Sequence, residues 1–187
     1  MIAPLRPSKT QISDAAGRTV PDLIGPDLLV LFCGINPGLY SAATGHHFAR
    51  PGNRFWPALH RAGFTDRLLA AWEERQLLER GYGITNLVAR STAAAAELGP
   101  EELEAGRERL LRKVRRYHPR WVAILGIGAF RTAFGQRAAS AGRQPEVFGG
   151  SGLWVLPNPS GLNANHQLGD LQRAFRELQE EAERGTC

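Results

Sequence analysis

Two short apolar runs, each ending in a loop built on Asn-Pro, constrain this chain more than any other feature. Leu28-Leu29-Val30-Leu31-Phe32-Cys33 leads into Gly34-Ile35-Asn36-Pro37-Gly38, and Leu153-Trp154-Val155-Leu156 leads into Pro157-Asn158-Pro159-Ser160-Gly161-Leu162. Apolar runs of four to six residues bounded by turn residues read as strands buried on both faces. Asn-Pro favours a turn, so each loop stops its strand. In an open α/β sheet, ligands sit in the crevice outside the carboxyl ends of the strands. Two such loops can therefore face one pocket.

The remaining pattern alternates in the same way. A helix starts near Asn53, with Phe55, Leu59 and Ala62 on one face, and stops at Gly63. A second helix is expected over 66–80, a strand over 82–88 and a long helix over 100–117. That long helix opens on Pro100, carries Glu101, Glu102 and Glu104 near its start and Arg115 and Arg116 at its end, as the helix dipole favours. A strand over 121–125, a short helix over 127–134, strands over 144–148 and 153–156, and a helix over 167–183 complete the reading. Strands separated by helices imply a three-layer α/β/α domain with a mostly parallel central sheet. Residues 1–26 hold four prolines with polar spacing and read as a flexible arm, and 27–187 as a single domain.

Composition excludes several classes. No run of eighteen apolar residues exists, so no membrane span is expected, and no apolar segment follows Arg6 and Lys9 as a secretory signal would require. Cys33 and Cys187 are the only cysteines, too few for an iron–sulfur cluster, and their placement fits a reducing, cytoplasmic compartment. No cofactor and no metal site is implied. The net charge of +5 is carried almost wholly by Arg, with Lys9 and Lys113 the only lysines. A GC-rich genome explains that preference better than function does, but the positive balance permits nucleic-acid binding.

The two Asn-Pro loops, with Phe48-Ala49-Arg50-Pro51-Gly52-Asn53-Arg54-Phe55-Trp56 between them, closely resemble the mismatch-specific uracil-DNA glycosylases, a family that includes thymine-DNA glycosylases. The resemblance runs from about residue 28 to about 175. It implies a uracil-DNA glycosylase-like fold and a monomeric, nucleoid-associated bacterial enzyme. The substrate it implies is double-stranded DNA containing a mismatched or damaged pyrimidine. Such an enzyme excises uracil, preferably opposite guanine, and related bases such as ethenocytosine.

The same resemblance assigns roles. Asn36 would position the attacking water; a carboxamide can hold water but cannot take its proton near neutral pH, so its contribution is positioning. The alternative for Asn36 is a turn in which the side chain bonds its own backbone. Phe48 would stack on the extruded base, against the alternative of a core Phe. Ile35 and Gly38 would line the pocket with backbone amides. Ser41 would crowd carbon 5 of the pyrimidine and so favour uracil over thymine, against helix capping. Gly161-Leu162-Asn163 matches the wedge that enters the base stack, and Asn158 and Ser160 would shape that loop or touch phosphate. No Lys lies in these motifs, so Schiff-base lyase chemistry is not expected.

Other residues are read more plainly. His46 and His47 suggest surface or phosphate contact, Arg50 and Arg54 phosphate contact, and the basic stripe Arg109, Arg112, Lys113 and Arg116 a solvated helix face. Three positions depart from the family: Ala164 stands where a basic residue is frequent, Asn86 where a Lys occurs, and Ala93-Ala94-Ala95-Ala96 where polar residues are mixed in. Two rivals remain: a non-catalytic mismatch-binding module, and a nucleotide-modifying transferase with an Asn-Pro-Pro-aromatic loop. The second rival lacks its aromatic here and its G-x-G-x-x-G cofactor loop.

Overall fold

A computed structural model describes residues 5–161 and 166–184. Five strands form one sheet: β1 Val30–Gly34, β2 Tyr82–Asn86, β3 Trp121–Leu125, β4 Gly142–Phe148 and β5 Ser151–Leu156. Their order is β2-β1-β3-β5-β4. The β2-β1, β1-β3 and β3-β5 pairings are parallel, and only β4 runs antiparallel, to β5. Every residue of β1, β2 and β3 is buried, as a sheet covered on both faces requires.

Among the described residues six α-helices accompany the sheet: α1 Lys9–Ser13, α2 Leu39–Thr44, α3 Phe55–Ala62, α4 Pro100–Tyr117, α5 Ile127–Phe134 and α6 Leu168–Glu183. Alternation along the strands splits the core into two layers. Val30 and Phe32 face α3 and α6, whereas Leu31 and Cys33 face α4 and α5. Phe32 centres the first layer, with Phe55 and Phe64 edge-on and Phe175 stacked. Its truncation to Ala would cost about 3–5 kcal/mol, because a filled aromatic cluster cannot collapse on the void. The three-layer α/β/α arrangement with a mostly parallel sheet is thus observed. No helix is long and apolar enough to cross a membrane among the described residues.

Two expectations change. The helix expected over 66–80 begins only at Ala71 and is a 3₁₀ helix to Arg80. Arg67 reaches forward to the Glu73 carboxylate, which also accepts from the N–H of Ala70, and Ala70 is extended just before the first turn. The segment expected to be a flexible arm carries α1 and packs on the domain. Ala15, Val20 and Leu23 are buried, and Leu23 exchanges two backbone hydrogen bonds with Ile84 of β2, at 2.9 and 2.7 Å. Scattered single apolar residues carry no period, which is why the sequence gives no warning of this packing.

Candidate active site

From β1 the chain crosses to β2 on one side and then returns to β3 on the other. The strand order therefore reverses at β1 and β3, where an open α/β sheet forms its ligand crevice. A cleft of about 710 Å³ opens there. Its walls come from the loops after all four parallel strands: Gly34 to Gly38 after β1, Asn86 closing β2, Gly126 to Ala129 after β3, and Pro157, Asn158 and Ser160 after β5. Both Asn-Pro loops thus meet in one cleft, together with Ser41 and Phe48.

Asn36 does not make the local turn that was its alternative. Its Nδ2 donates to the Arg90 carbonyl at 3.1 Å and to Thr92 Oγ1 at 2.7 Å. The orientation of the amide follows from chemistry. A carbonyl only accepts, and the Thr92 hydroxyl already donates to the Ala94 carbonyl at 2.8 Å, so the atom facing both must be the NH₂. Oδ1 is left as the acceptor available to the cleft.

The platform under Asn36 is itself held. Arg90 makes a two-pronged pair with Glu102 of α4, both contacts 2.7 Å, and holds that carboxyl down at about 2. The Thr92 N–H donates to the Pro37 carbonyl at 3.2 Å, and the Leu87 and Val88 N–H groups to Gly34 and Ile35 at 2.9 Å each. The loop after β1 is therefore zipped to the chain leaving β2.

Phe48 is partly buried at the rim of the core, stacked on Phe55 with ring centroids 4.1 Å apart. Its backbone is left-handed, with φ 52°, a conformation costing a non-glycine residue on the order of 1 kcal/mol. Such strain is held by the surroundings. The His46 imidazole pairs with Glu74 at 2.9 Å, the His47 N–H donates to the same carboxylate at 2.9 Å, and Trp56 Nε1 donates to the His47 carbonyl at 3.3 Å. His47 is 2 % exposed and lies 2.9 Å from the Pro21 carbonyl through Nε2. Because a carbonyl only accepts, Nε2 carries the hydrogen. Desolvation pushes the His47 pKa below 6.5, with Glu74 opposing. The histidines are thus loop anchors, not the surface or phosphate contacts expected.

Ser41, in α2, is buried and accepts from the Ala49 N–H through Oγ at 3.1 Å, so it ties α2 to the loop carrying Phe48. Ile35 and Gly38 line the cleft. On the far wall, Asn158 Oδ1 accepts from the Ser160 N–H at 2.9 Å, which shapes the turn. Gly161 is a close-approach position: a Cβ there would stand 2.5 Å from the Gly52 carbonyl oxygen. Leu162 and Asn163, the expected wedge, and Ala164 lie outside the described residues.

Arg54 corrects another expectation. It is half-buried, and its guanidinium donates to the Ser160 and His166 carbonyls while its N–H donates to the Pro159 carbonyl at 3.0 Å. It therefore fastens the second loop, where a phosphate contact was expected of it. Arg50 remains exposed at the cleft rim. In the basic stripe, Lys113 pairs with Asp22 at 2.5 Å and Arg109 reaches the Leu87 and Glu102 carbonyls, so that face is partly structural. Ala93, Ala94 and Ala95 form a wall of the cleft made of small side chains.

Asn86 is the residue whose role the sequence reading did not find. It is 9 % exposed, lines the cleft, and no described residue hydrogen-bonds its carboxamide. A Cβ on Gly34 would stand 2.5 Å from Asn86 Oδ1 and 3.3 Å from Phe48 Cζ, so the amide and the ring converge over that glycine. The sequence shows only an Asn closing a strand; that this strand pairs in register with the one before Asn36 is a property of the fold. Among the described residues no group of three His, Cys, Asp or Glu side chains is gathered to hold a metal.

Fold and cleft define an α/β protein with a ligand site at the reversal point of its sheet. Among the described residues the site offers the Phe48 ring, the Asn86 amide, which no described residue hydrogen-bonds, and the Asn36 Oδ1 acceptor. Residues 21–182 match the family model described as the uracil DNA glycosylase superfamily, and the chain belongs to that superfamily. Among solved structures it is similar to a candidate uracil DNA glycosylase from Methanosarcina acetivorans, determined by NMR in solution. The two are 19 % identical, with a TM-score of 0.57, and the match covers 87 % of this chain and 98 % of that one. At that identity the likeness speaks for the fold.

Proposed function

We propose that this protein is a monofunctional DNA glycosylase that extrudes uracil from mismatched duplex DNA, preferably opposite guanine, and hydrolyses its N-glycosidic bond. The observation that carries the reading is the pinned amide of Asn36, with Nδ2 committed to Arg90 and Thr92 and Oδ1 left to the cleft. Oδ1 accepts one hydrogen of a water and aims its oxygen at C1′ of the sugar. The C1′–N1 bond breaks with its electron pair leaving on uracil, the water oxygen bonds C1′, and the released proton passes to solvent or to the departing base. An abasic site and free uracil result, and the strand is not cut.

Phe48 supplies the stacking surface, which accepts any flat base. Discrimination then falls to hydrogen bonds. Asn86 carries a donor and an acceptor side by side, matching the adjacent O4 and N3–H of uracil. Ile35 and Gly38 contribute backbone to the pocket, and Ser41 stands at the carbon-5 side. The second loop, whose sequence runs on into Leu162, fills the stack behind the extruded base. The small alanine wall suits bases larger than uracil, ethenocytosine among them.

The test is Asn36→Ala. Uracil release should fall by about 10²-fold or more, the scale of losing a preorganised polar group, while duplex affinity holds. Wild-type release by this variant would remove Asn36 from the reaction. The rival reading, a mismatch-binding module, predicts affinity without any abasic product.

A further inference from the structure

We infer that the N-terminal segment from Ala15 to Leu23 is a positioning strap for Asn36, acting through Ser91. The inference rests on the reading of Asn36 given above.

Ser91 stands between the two residues that hold the Asn36 amide, Arg90 and Thr92. Its own polar groups all turn the other way. The Ser91 N–H donates to the Arg18 carbonyl at 2.8 Å, its carbonyl accepts from the Gly17 N–H at 3.1 Å, and its hydroxyl donates to the Ala15 carbonyl at 2.5 Å. Ser91 is 1 % exposed, so these bonds are shielded from water. A shift of Ser91 moves both acceptors of the Asn36 Nδ2 together.

The strap is fixed on either side of that contact. Ala15 and Val20 pack on Ala42 of α2, the helix that carries Ser41. The Pro21 carbonyl receives His47 Nε2–H. The Asp22 carboxylate accepts from the Thr85 hydroxyl at 2.7 Å and pairs with Lys113. Leu23 is bonded to Ile84. One segment thus braces three pieces of the cleft wall: the 90–92 platform, α2 and the loop of Phe48. Positioning catalysis is sensitive to such bracing, since a misplacement of about 1 Å can cost 10²-fold in rate.

Ser91→Ala isolates the effect. It removes the hydroxyl without orphaning its partner, because the Ala15 carbonyl also accepts from the Arg18 N–H at 3.1 Å. Single-turnover uracil release with enzyme in excess should slow by about 10-fold, within the range open to a small misplacement. Affinity for a duplex bearing a non-cleavable 2′-fluoro-deoxyuridine should not change. The same substitution made in Asn36→Ala should cause no further slowing, because the group it positions is gone. Unchanged release by Ser91→Ala, an equal slowing in both backgrounds, or a loss confined to affinity would each overturn the strap. If Asn36→Ala itself released uracil normally, the reading of the site would fall first, a result distinct from a failing strap.

Discussion

At the scale of single residues, the site works by committing polar groups in one direction so that one atom is left over. Asn36 spends both amide hydrogens on its platform and keeps Oδ1 for the cleft. Ser41 shows the opposite economy, since its Oγ already accepts from Ala49 while its side chain lines the cleft. Trimming Ser41 to Ala should raise the ratio of T·G to U·G excision. The shift should be partial, because one small group in a pocket is worth about 1–3 kcal/mol. A ratio that does not rise would place Ser41 away from carbon 5. His47 sets a pH limit. Its folded pKa lies below 6.5 through burial, so the unfolded chain binds its proton first as pH falls. The stability it contributes is complete above about pH 6.5 and is lost progressively below it. Melting temperature should therefore decline below that pH, and His47→Gln should flatten that part of the profile; an unchanged slope would mean that other groups carry it.

At the scale of elements, α4, α5 and β3 were legible in the sequence because capping, dipole charges and uninterrupted apolar runs act locally. The elements that were not legible are short or irregular. Helices α1 and α2 span five and six residues, too few for a period to show. The strap is held to Ser91 by two backbone bonds and one from its hydroxyl, and a single Ser leaves no mark in side-chain pattern. For the site, the two Asn-Pro loops announced the cleft, whereas Asn86 and the platform of Arg90 and Thr92 depended on which strands become neighbours. Arg54 is ambiguous in sequence because an Arg beside a loop fits phosphate as readily as it fits the pair of carbonyls it holds. Its observed place gives a prediction. Arg54→Met should lower melting, since a bond from a charged donor to a carbonyl contributes about 1.5–3 kcal/mol. With the wedge role proposed for the loop it fastens, it should also depress excision from duplex more than from single-stranded uracil DNA. Equal losses on both substrates would make Arg54 structural alone.

At the scale of the whole molecule, the net charge of +5 suits the DNA substrate proposed for the cleft at the open end of the sheet. Each phosphate contact releases counterions, so log affinity falls with log salt by about 0.9 per contact. Arg50→Ala should reduce that slope by about one contact and leave excision at saturating enzyme near the wild-type rate; an unchanged slope would clear Arg50 of phosphate contact. In the proposed mechanism, strap, platform and second loop all serve one requirement, that Asn36 Oδ1 hold a water opposite a sugar carbon. The most direct measurement is therefore made on duplexes carrying a single U·G, U·A or T·G pair, treated with alkali after incubation and resolved on a gel, with wild type and Asn36→Ala run side by side. The account predicts alkali-dependent cleavage at uracil, fastest opposite guanine, intact strands without alkali, and a loss of about 10²-fold or more in the variant. Mismatch binding without any alkali-sensitive site, or equal cleavage by both proteins, would contradict it.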